Sequence, residues 1–282
     1  MDAVSLFLLQ NKRISADLQA DHPGNMSVIT LTTDFGHKDH YAAALRGTLL
    51  RLSPGTVIAD ITHLIPAYDI QQAAWVLRHA YSEFPKGSVH IVAVGAGLSR
   101  RFGHVAAKLG EHYFIGCDNG FFSLFGRERP EEVILLSRGE DVGSTFIARD
   151  LYAAAAVRII AGEPLSALGA AQDGIVEKLR RQHPPEENVL KGAVAYIDGF
   201  GNLITDISRA EFDTIGRGRR FALELIGDEI TQLHKAYADV PEGEKLALFN
   251  SSDVLEISIN QGKASSLLSL RLNDVVRIVF ED

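Results

Sequence analysis

Two periods of apolar spacing alternate along the first 160 residues. Residues 27–33 (Ser-Val-Ile-Thr-Leu-Thr-Thr) are rich in β-branched side chains and predict a buried strand. Asp34-Phe35-Gly36 closes that strand in a turn. Tyr41, Leu45, Thr48, Leu49 and Leu52 then recur at helical spacing, with Asp39 placed to cap the helix and Ser53-Pro54-Gly55 to stop it. A second strand is expected at 56–61. A helix follows over 70–81 through Ala73, Ala74, Leu77 and Ala80, and a third strand over 89–94. Strand and helix alternating at this tempo predict an α/β domain with a mostly parallel sheet.

Beyond it the texture changes. Short strands are expected near 104–109, 112–116 and 132–136, and an alanine-rich helix near 150–161, stopped by Gly162-Glu163-Pro164. Residues 181–188 are charged and proline-bearing and read as a linker between an α/β domain over 26–180 and a second domain over 189–282. Seven β-type segments follow, near 190–197, 203–207, 220–226, 229–235, 245–249, 253–259 and 274–280. Their turn-separated spacing predicts a small β-barrel or sandwich.

Composition narrows the partners. The net charge of −8 argues against a nucleic-acid or membrane-surface binder, and no apolar run is long enough to span a bilayer. The single cysteine, Cys117, cannot form an internal disulfide and reads as a core residue in a cytoplasmic protein. Residues 1–25 hold a short apolar run (4–9) that makes a poor signal peptide. They are expected to be a poorly ordered, dispensable extension before Met26.

The candidate chemistry lies at strand ends. Asp34 follows a buried strand, where open α/β sheets place ligand carboxylates, and an ionised carboxylate suits adjacent ribose hydroxyls. It reads equally well as a turn or capping aspartate. Asp198-Gly199-Phe200-Gly201-Asn202 is a second cluster, in which Asn202 offers the donor and acceptor that an adenine edge requires, or simply completes a β-turn. His63 and His90 lie beside strands and read as structural histidines rather than ligands. Gly95-Ala96-Gly97 lacks the context of a phosphate loop, and no spacing suggests a metal site. Arg100-Arg101 either meets an anion or is a solvated pair.

Taken in order, these segments resemble the SAM hydroxide adenosyltransferase family, the chlorinase- and fluorinase-like proteins that use S-adenosylmethionine (SAM). The resemblance runs from Val28 to the C-terminus. It is carried by Thr33-Asp34-Phe35-Gly36 with Asp39, Ile61-Thr62-His63, Asp69 with Gln72-Ala73-Ala74, and 84–90. Asp118-Asn119-Gly120, Ser144-Thr145-Phe146 with Arg149-Asp150, and 198–202 complete the set. It implies an N-terminal α/β domain, a C-terminal β-barrel and a homotrimer with SAM bound between subunits. It further implies that Asp34 holds the ribose hydroxyls, Asn202 the adenine edge, and Phe200 and Tyr237 the adenine faces. Tyr68 would lie beside the ribose and sulfonium, with Asp39, Asp198 and Ser251 at the methionine end. The implied ligand is SAM or adenosine, and no further cofactor is called for.

The chemical half departs from the family pattern. Water-using members carry an aspartate in an Asp-Pro-Gly segment, an arginine soon after, and a histidine in Thr-Phe-His-Gly-Arg-Asp. Here the corresponding stretches read Val94-Gly95-Ala96-Gly97-Leu98-Ser99-Arg100 and Thr145-Phe146-Ile147-Ala148-Arg149-Asp150. Only the arginine remains, as Arg100 or Arg101, which makes Arg100 the catalytic candidate. Three activities follow as expectations. The first is SAM hydrolysis to adenosine and methionine by displacement at ribose C5′. The alternatives are SAM or adenosine binding without turnover, and a halide-using reaction.

Overall fold

The computed structural model describes residues 28–97, 102–126, 128–136, 144–178 and 187–281. They fall into two compact units, one within Met1–Lys178 and one within Leu179–Asp282. The stretch expected as an extension (1–25) and positions 181–186 of the expected linker lie outside the described residues.

The first unit is built on a seven-stranded sheet. β1 (Val28–Thr33) pairs in parallel with β2 (Val57–Thr62) and β3 (Val89–Ala93), and β3 pairs in parallel with β5 (His112–Cys117). β4 (His104–Leu109), β6 (Glu132–Leu136) and β7 (Gly169–Ala171) extend it with antiparallel pairings, giving the order β2-β1-β3-β5-β4-β6-β7. The change of direction has a local cause. Only Gly110 and Glu111 separate β4 from β5, too few residues for a parallel crossover, and Gly110 supplies the positive φ of a tight hairpin.

Helices cover both faces. Ile29 and Leu31 of β1 join Leu45 and Leu49 of α1 (Tyr41–Leu52) and Ala153 and Ala156 of α4 (Ala153–Ile160). On the other face Val92 and Val94 pack with Ala73, Ala74 and Leu77 of α2 (Ile70–Arg78) and with Phe121 and Phe125 of α3 (Phe121–Phe125). Two helix ends differ from expectation. Asp39 does not cap α1: His40 holds the cap position in helical dihedrals and makes no side-chain cap bond. The helix expected to reach residue 81 ends at Arg78. Ala80 N–H reaches back three residues to Leu77 O, and a 3₁₀ turn (Tyr81–Glu83) leads into Pro85. Asp69 does cap α2, accepting from Gln72 N–H at 2.9 Å.

The second unit is an eight-stranded, barrel-like sheet in the order β11-β10-β15-β8-β9-β14-β13-β12. Its strands are β8 (Val189–Ile197), β9 (Leu203–Ser208), β10 (Phe221–Leu225), β11 (Asp228–Ile230), β12 (Leu233–His234), β13 (Lys245–Phe249), β14 (Val254–Ile259) and β15 (Val275–Phe280). The single strand expected over 229–235 is divided into β11 and β12, which lie at opposite ends of the order. Leu203, Leu223, Leu255, Ile257 and Ile278 form the core. α5 (Arg209–Gly216) starts from a capping box of Ser208 and Glu211, and α6 (Ala264–Leu267) is a single turn. Among the described residues no helix is long and apolar enough to cross a membrane.

Candidate functional site

In the first unit a pocket of about 140 Å³ opens beyond the ends of β1 and β3. Asp34, Phe35, Tyr68, the Gly95-Ala96-Gly97 loop and residues 145–148 line it, with the rings of Phe35 and Phe146 in edge-on contact. This is the crevice outside the carboxyl ends of parallel strands, where open α/β sheets bind ligands.

Asp34 organises one side of it. Its Oδ2 accepts from Tyr68 N–H at 2.9 Å and from Gly95 N–H at 3.1 Å, joining loops from two different strands. Both donors sit at left-handed φ, +70° for Tyr68 and +61° for Gly95. For tyrosine that conformation is strained, and the residue, 61% exposed, lines the pocket. Asp34 Oδ1 has no hydrogen-bond partner among the described residues, so half of the carboxylate remains free to accept.

Behind Asp34 runs a buried polar chain that the sequence did not announce. Phe35 N–H donates to Thr33 Oγ1 at 3.3 Å, and Thr33 Oγ1 lies 2.8 Å from His63 Nδ1. His63 Nε2 is 3.2 Å from Asp60 Oδ1, and Asp60 also accepts from Arg46. Burial holds the His63 pKa below its ordinary value despite the raising effect of Asp60, which favours the neutral ring. With Nε2–H donating to Asp60, Nδ1 accepts from the Thr33 hydroxyl, and every member is satisfied. His63 is thus structural, as its position suggested. His90 is too: its ring nitrogens lie 2.7 Å from Thr30 Oγ1 and 3.1 Å from His112 Nδ1.

Beyond Thr145, the lining segment 146–148 is apolar. Phe146, Ile147 and Ala148 are buried, and Ile147 brings only hydrocarbon to the pocket. Ser144 Oγ accepts from Phe146 N–H at 2.9 Å and donates to Asp150, whose Oδ1 pairs with Arg149 Nε at 2.5 Å. One π-helical turn (Ala148–Tyr152) then leads into α4, a distortion often found at functional sites. Asp39 is exposed and does not line the pocket. Arg100 lies outside the described residues.

In the second unit Asp198 organises its own loop. Its Oδ1 accepts from Phe200 N–H at 2.9 Å and Asn202 N–H at 2.8 Å, and its Oδ2 from Asn202 Nδ2 at 3.0 Å. Asn202 is therefore buried and oriented, while Phe200 projects from the loop with 79% of its surface exposed. Tyr237, 44% exposed, donates its hydroxyl to Glu256 Oε1 at 2.8 Å. Burial, and then the Glu256 carboxylate, push the Tyr237 phenol up to about 12. Ser251 is exposed on the turn between β13 and β14. Glu256 drew no attention in the sequence, where it reads as one polar position in an alternating strand.

The model of the SAM hydroxide adenosyltransferase N-terminal domain matches residues 29–169, and that of the C-terminal domain matches residues 192–277. The chain belongs to the SAM hydroxide adenosyltransferase family. It is 31% identical over 271 residues to a protein of Thermus thermophilus named (R)-S-adenosyl-L-methionine hydrolase, covering 90% of this chain and all of the relative. A protein of the same name from Salinispora tropica is 31% identical over 260 residues, covering 89% and 97%. Among solved structures, an uncharacterized conserved protein from Thermotoga maritima superposes with a TM-score of 0.82 at 28% identity, covering 89% of this chain and all of that one. The first family span contains every residue lining the pocket, and the second contains Asp198, Phe200, Asn202, Tyr237 and Ser251.

Proposed function

We infer that this protein hydrolyses S-adenosylmethionine to adenosine and methionine. The observation that carries the reading is the likeness to two proteins named (R)-S-adenosyl-L-methionine hydrolase over nine-tenths of the chain, and their name makes the (R)-sulfonium epimer the substrate to expect. Water attacks ribose C5′ as the C5′–sulfur bond breaks. The bonding pair goes to sulfur, methionine leaves as a neutral thioether, and the proton lost from water passes to solvent. The leaving group already carries its positive charge, so no general acid is required.

The site geometry supports this assignment. Asp34 presents its free Oδ1 to the ribose hydroxyls while Oδ2 keeps the Tyr68 and Gly95 loops in place. Tyr68 stands beside the sugar, and the wall of Phe146, Ile147 and Ala148 strips water from the reacting centre. Asn202 reads the adenine edge between Phe200 and Tyr237, with Asp198, Ser251 and Asp39 toward the methionine end. Arg100 is the cation proposed to stabilise the nucleophile. The protein works as a cytoplasmic homotrimer whose subunits complete each other's sites. Cys117, buried and in no disulfide, fits the compartment, and Leu50, Leu52 and Val57, exposed around α1 and edge strand β2, fit the assembly.

The test is incubation of the purified protein with each sulfonium epimer of SAM, in the presence and absence of chloride, followed by chromatography. Adenosine and methionine in equal amounts, formed faster from the (R) epimer, are expected. Unchanged substrate bound tightly in calorimetry would make the protein a binder without turnover, and 5′-chloro-adenosine would identify halide as the nucleophile.

A further inference from the structure

β14 alternates strictly. Leu255, Ile257 and Ile259 point into the barrel core, so Glu256 and Ser258 point to its outer face, where a carboxylate normally meets water. Glu256 is nevertheless only 2% exposed. Three donors replace the water. Tyr237 Oη (2.8 Å) and Ser258 Oγ (2.7 Å) donate to Oε1, and Asn250 Nδ2 (3.1 Å) donates to Oε2. A buried carboxylate is costly to maintain, so stability alone is a weak reason for its presence.

Two of those donors belong to connecting segments that carry exposed residues. Tyr237 carries a half-exposed ring on the short turn Tyr237–Asp239. Asn250 opens the turn that bears Ser251. Its Oδ1 accepts from Ser252 N–H at 3.0 Å and its C=O from Asp253 N–H at 2.9 Å, with Asp253 at φ +53°. Both segments are thus tethered to one carboxylate.

We propose that Glu256 is a positioning residue for the reaction, locking the Tyr237 ring and the Ser251 turn together in their ligand-ready arrangement. It touches neither adenine nor the reacting atoms; it acts through Tyr237 and Asn250. The inference rests on the reading above in which Tyr237 and Ser251 meet the ligand.

The test uses the full-length chain and adenosine as the calorimetric probe, with kcat and KM for SAM and the Tm measured alongside. Glu256→Gln keeps the shape but turns an amide toward one of the three donors, and is expected to weaken adenosine binding about tenfold, with KM rising more than kcat falls. Adding Asn250→Asp supplies an acceptor for that amide while retaining one for Ser252 N–H, so the double variant should recover most of the lost affinity. A purely structural role would move Tm and leave the affinity of the folded fraction unchanged. Glu256→Gln binding adenosine within about twofold of wild type overturns the proposal, as does a double variant that regains Tm without affinity. Tyr237→Ala separates the two layers. If it leaves adenosine binding intact, the placement of Tyr237 at the ligand fails and the inference with it. If it weakens binding while Glu256→Gln does not, the inference alone fails.

Discussion

The loops of Asp34 and Asp198 are built on one plan and differ in what they leave open. Each aspartate follows a strand and gathers backbone N–H groups that would otherwise point into a turn without partners. Asp34 does so with one oxygen, tying together loops from two strands, and keeps the other free. Asp198 uses both oxygens within its own five-residue loop, so it fixes the orientation of Asn202 and the projection of Phe200 in addition to any acceptor capacity left on Oδ2. The first loop offers an acceptor directly; the second offers side chains that its acceptor holds in place. A carboxylate at a strand end can therefore belong to a ligand site in two ways, and only the account of its hydrogen bonds separates them.

That contrast is broken most severely at Asp34. Asp34→Ala removes the free acceptor and releases the strained Tyr68 and the Gly95 loop at once. The expected outcome is a fall in kcat/KM for SAM of at least about 100-fold, measured by adenosine release, in a protein that still folds. Asp34→Asn is the sharper variant. Its amide oxygen still takes the two backbone N–H groups, and its nitrogen faces the ribose. Turnover near wild type in that variant would show that Asp34 serves only its loops.

Acid should distinguish the two units next. His63, His79, His90 and His112 are all held below the ordinary histidine value, in each case chiefly by burial, and all lie in the first unit. His90 is pushed down to about 3. The neutral rings are favoured in the folded unit, so the unfolded chain binds protons that the folded one refuses once pH falls below about 6.5. Stability is full above that value and declines as pH drops toward the folded values, by about 2 kcal/mol between about pH 7 and pH 5 for His90 alone. Trp75, the single tryptophan, lies in α2 and reports on the first unit. Its fluorescence midpoint in urea should shift down with acid more than the midpoint followed through β-sheet circular dichroism of the remaining structure, and His90→Phe should flatten the difference.

Asp198→Asn tests the second loop. Its carbonyl oxygen can still accept from one set of backbone N–H groups, but its amide faces Asn202 Nδ2, donor against donor. Adenosine affinity is expected to fall about tenfold, through loss of orientation at Asn202 rather than loss of charge. An unchanged affinity would mean that Asn202 is held well enough by its burial.

How much of this could be read from the sequence follows from the same distinction. The strands were legible because β-branched runs and turn residues are local signals, and β4, β6 and β13 fall at the positions their patterns predicted. The short α3 and the one-turn α6 were not, since five and four residues carry too little periodicity to register. Asp34 and Asn202 were legible as candidates through their place at strand ends. The parts that fix them were not. His63 reaches Thr33 across 30 positions and Glu256 reaches Tyr237 across 19, and nothing in local spacing marks such pairs. The resemblance supplied the residues proposed to face the ligand; it included Thr33 and His63 without showing that they meet, and it did not include Glu256.

The smallest effect comes from two neighbouring threonines of β1, which give the comparison its finest test. Thr33 Oγ1 is a member of the chain behind Asp34, bonded to His63 Nδ1 and to Phe35 N–H. Thr32, pointing to the other face, is fully buried, and its Oγ1 has no partner among the described residues. Valine is close to threonine in shape, so each Thr→Val change reads the hydroxyl alone. Thr32→Val removes a desolvated group that bonds to nothing and should raise stability by about 1 kcal/mol, seen as a higher urea midpoint with an unchanged slope. Thr33→Val leaves the imidazole and the Phe35 amide unpaired in a buried place and should lower stability by about 1–3 kcal/mol. Opposite signs one residue apart would show that the hydroxyls of this strand are divided between packing and the support of Asp34. A loss at both positions would place Thr32 in the polar network as well, and a ligand-dependent loss at Thr32 would place it beneath the site.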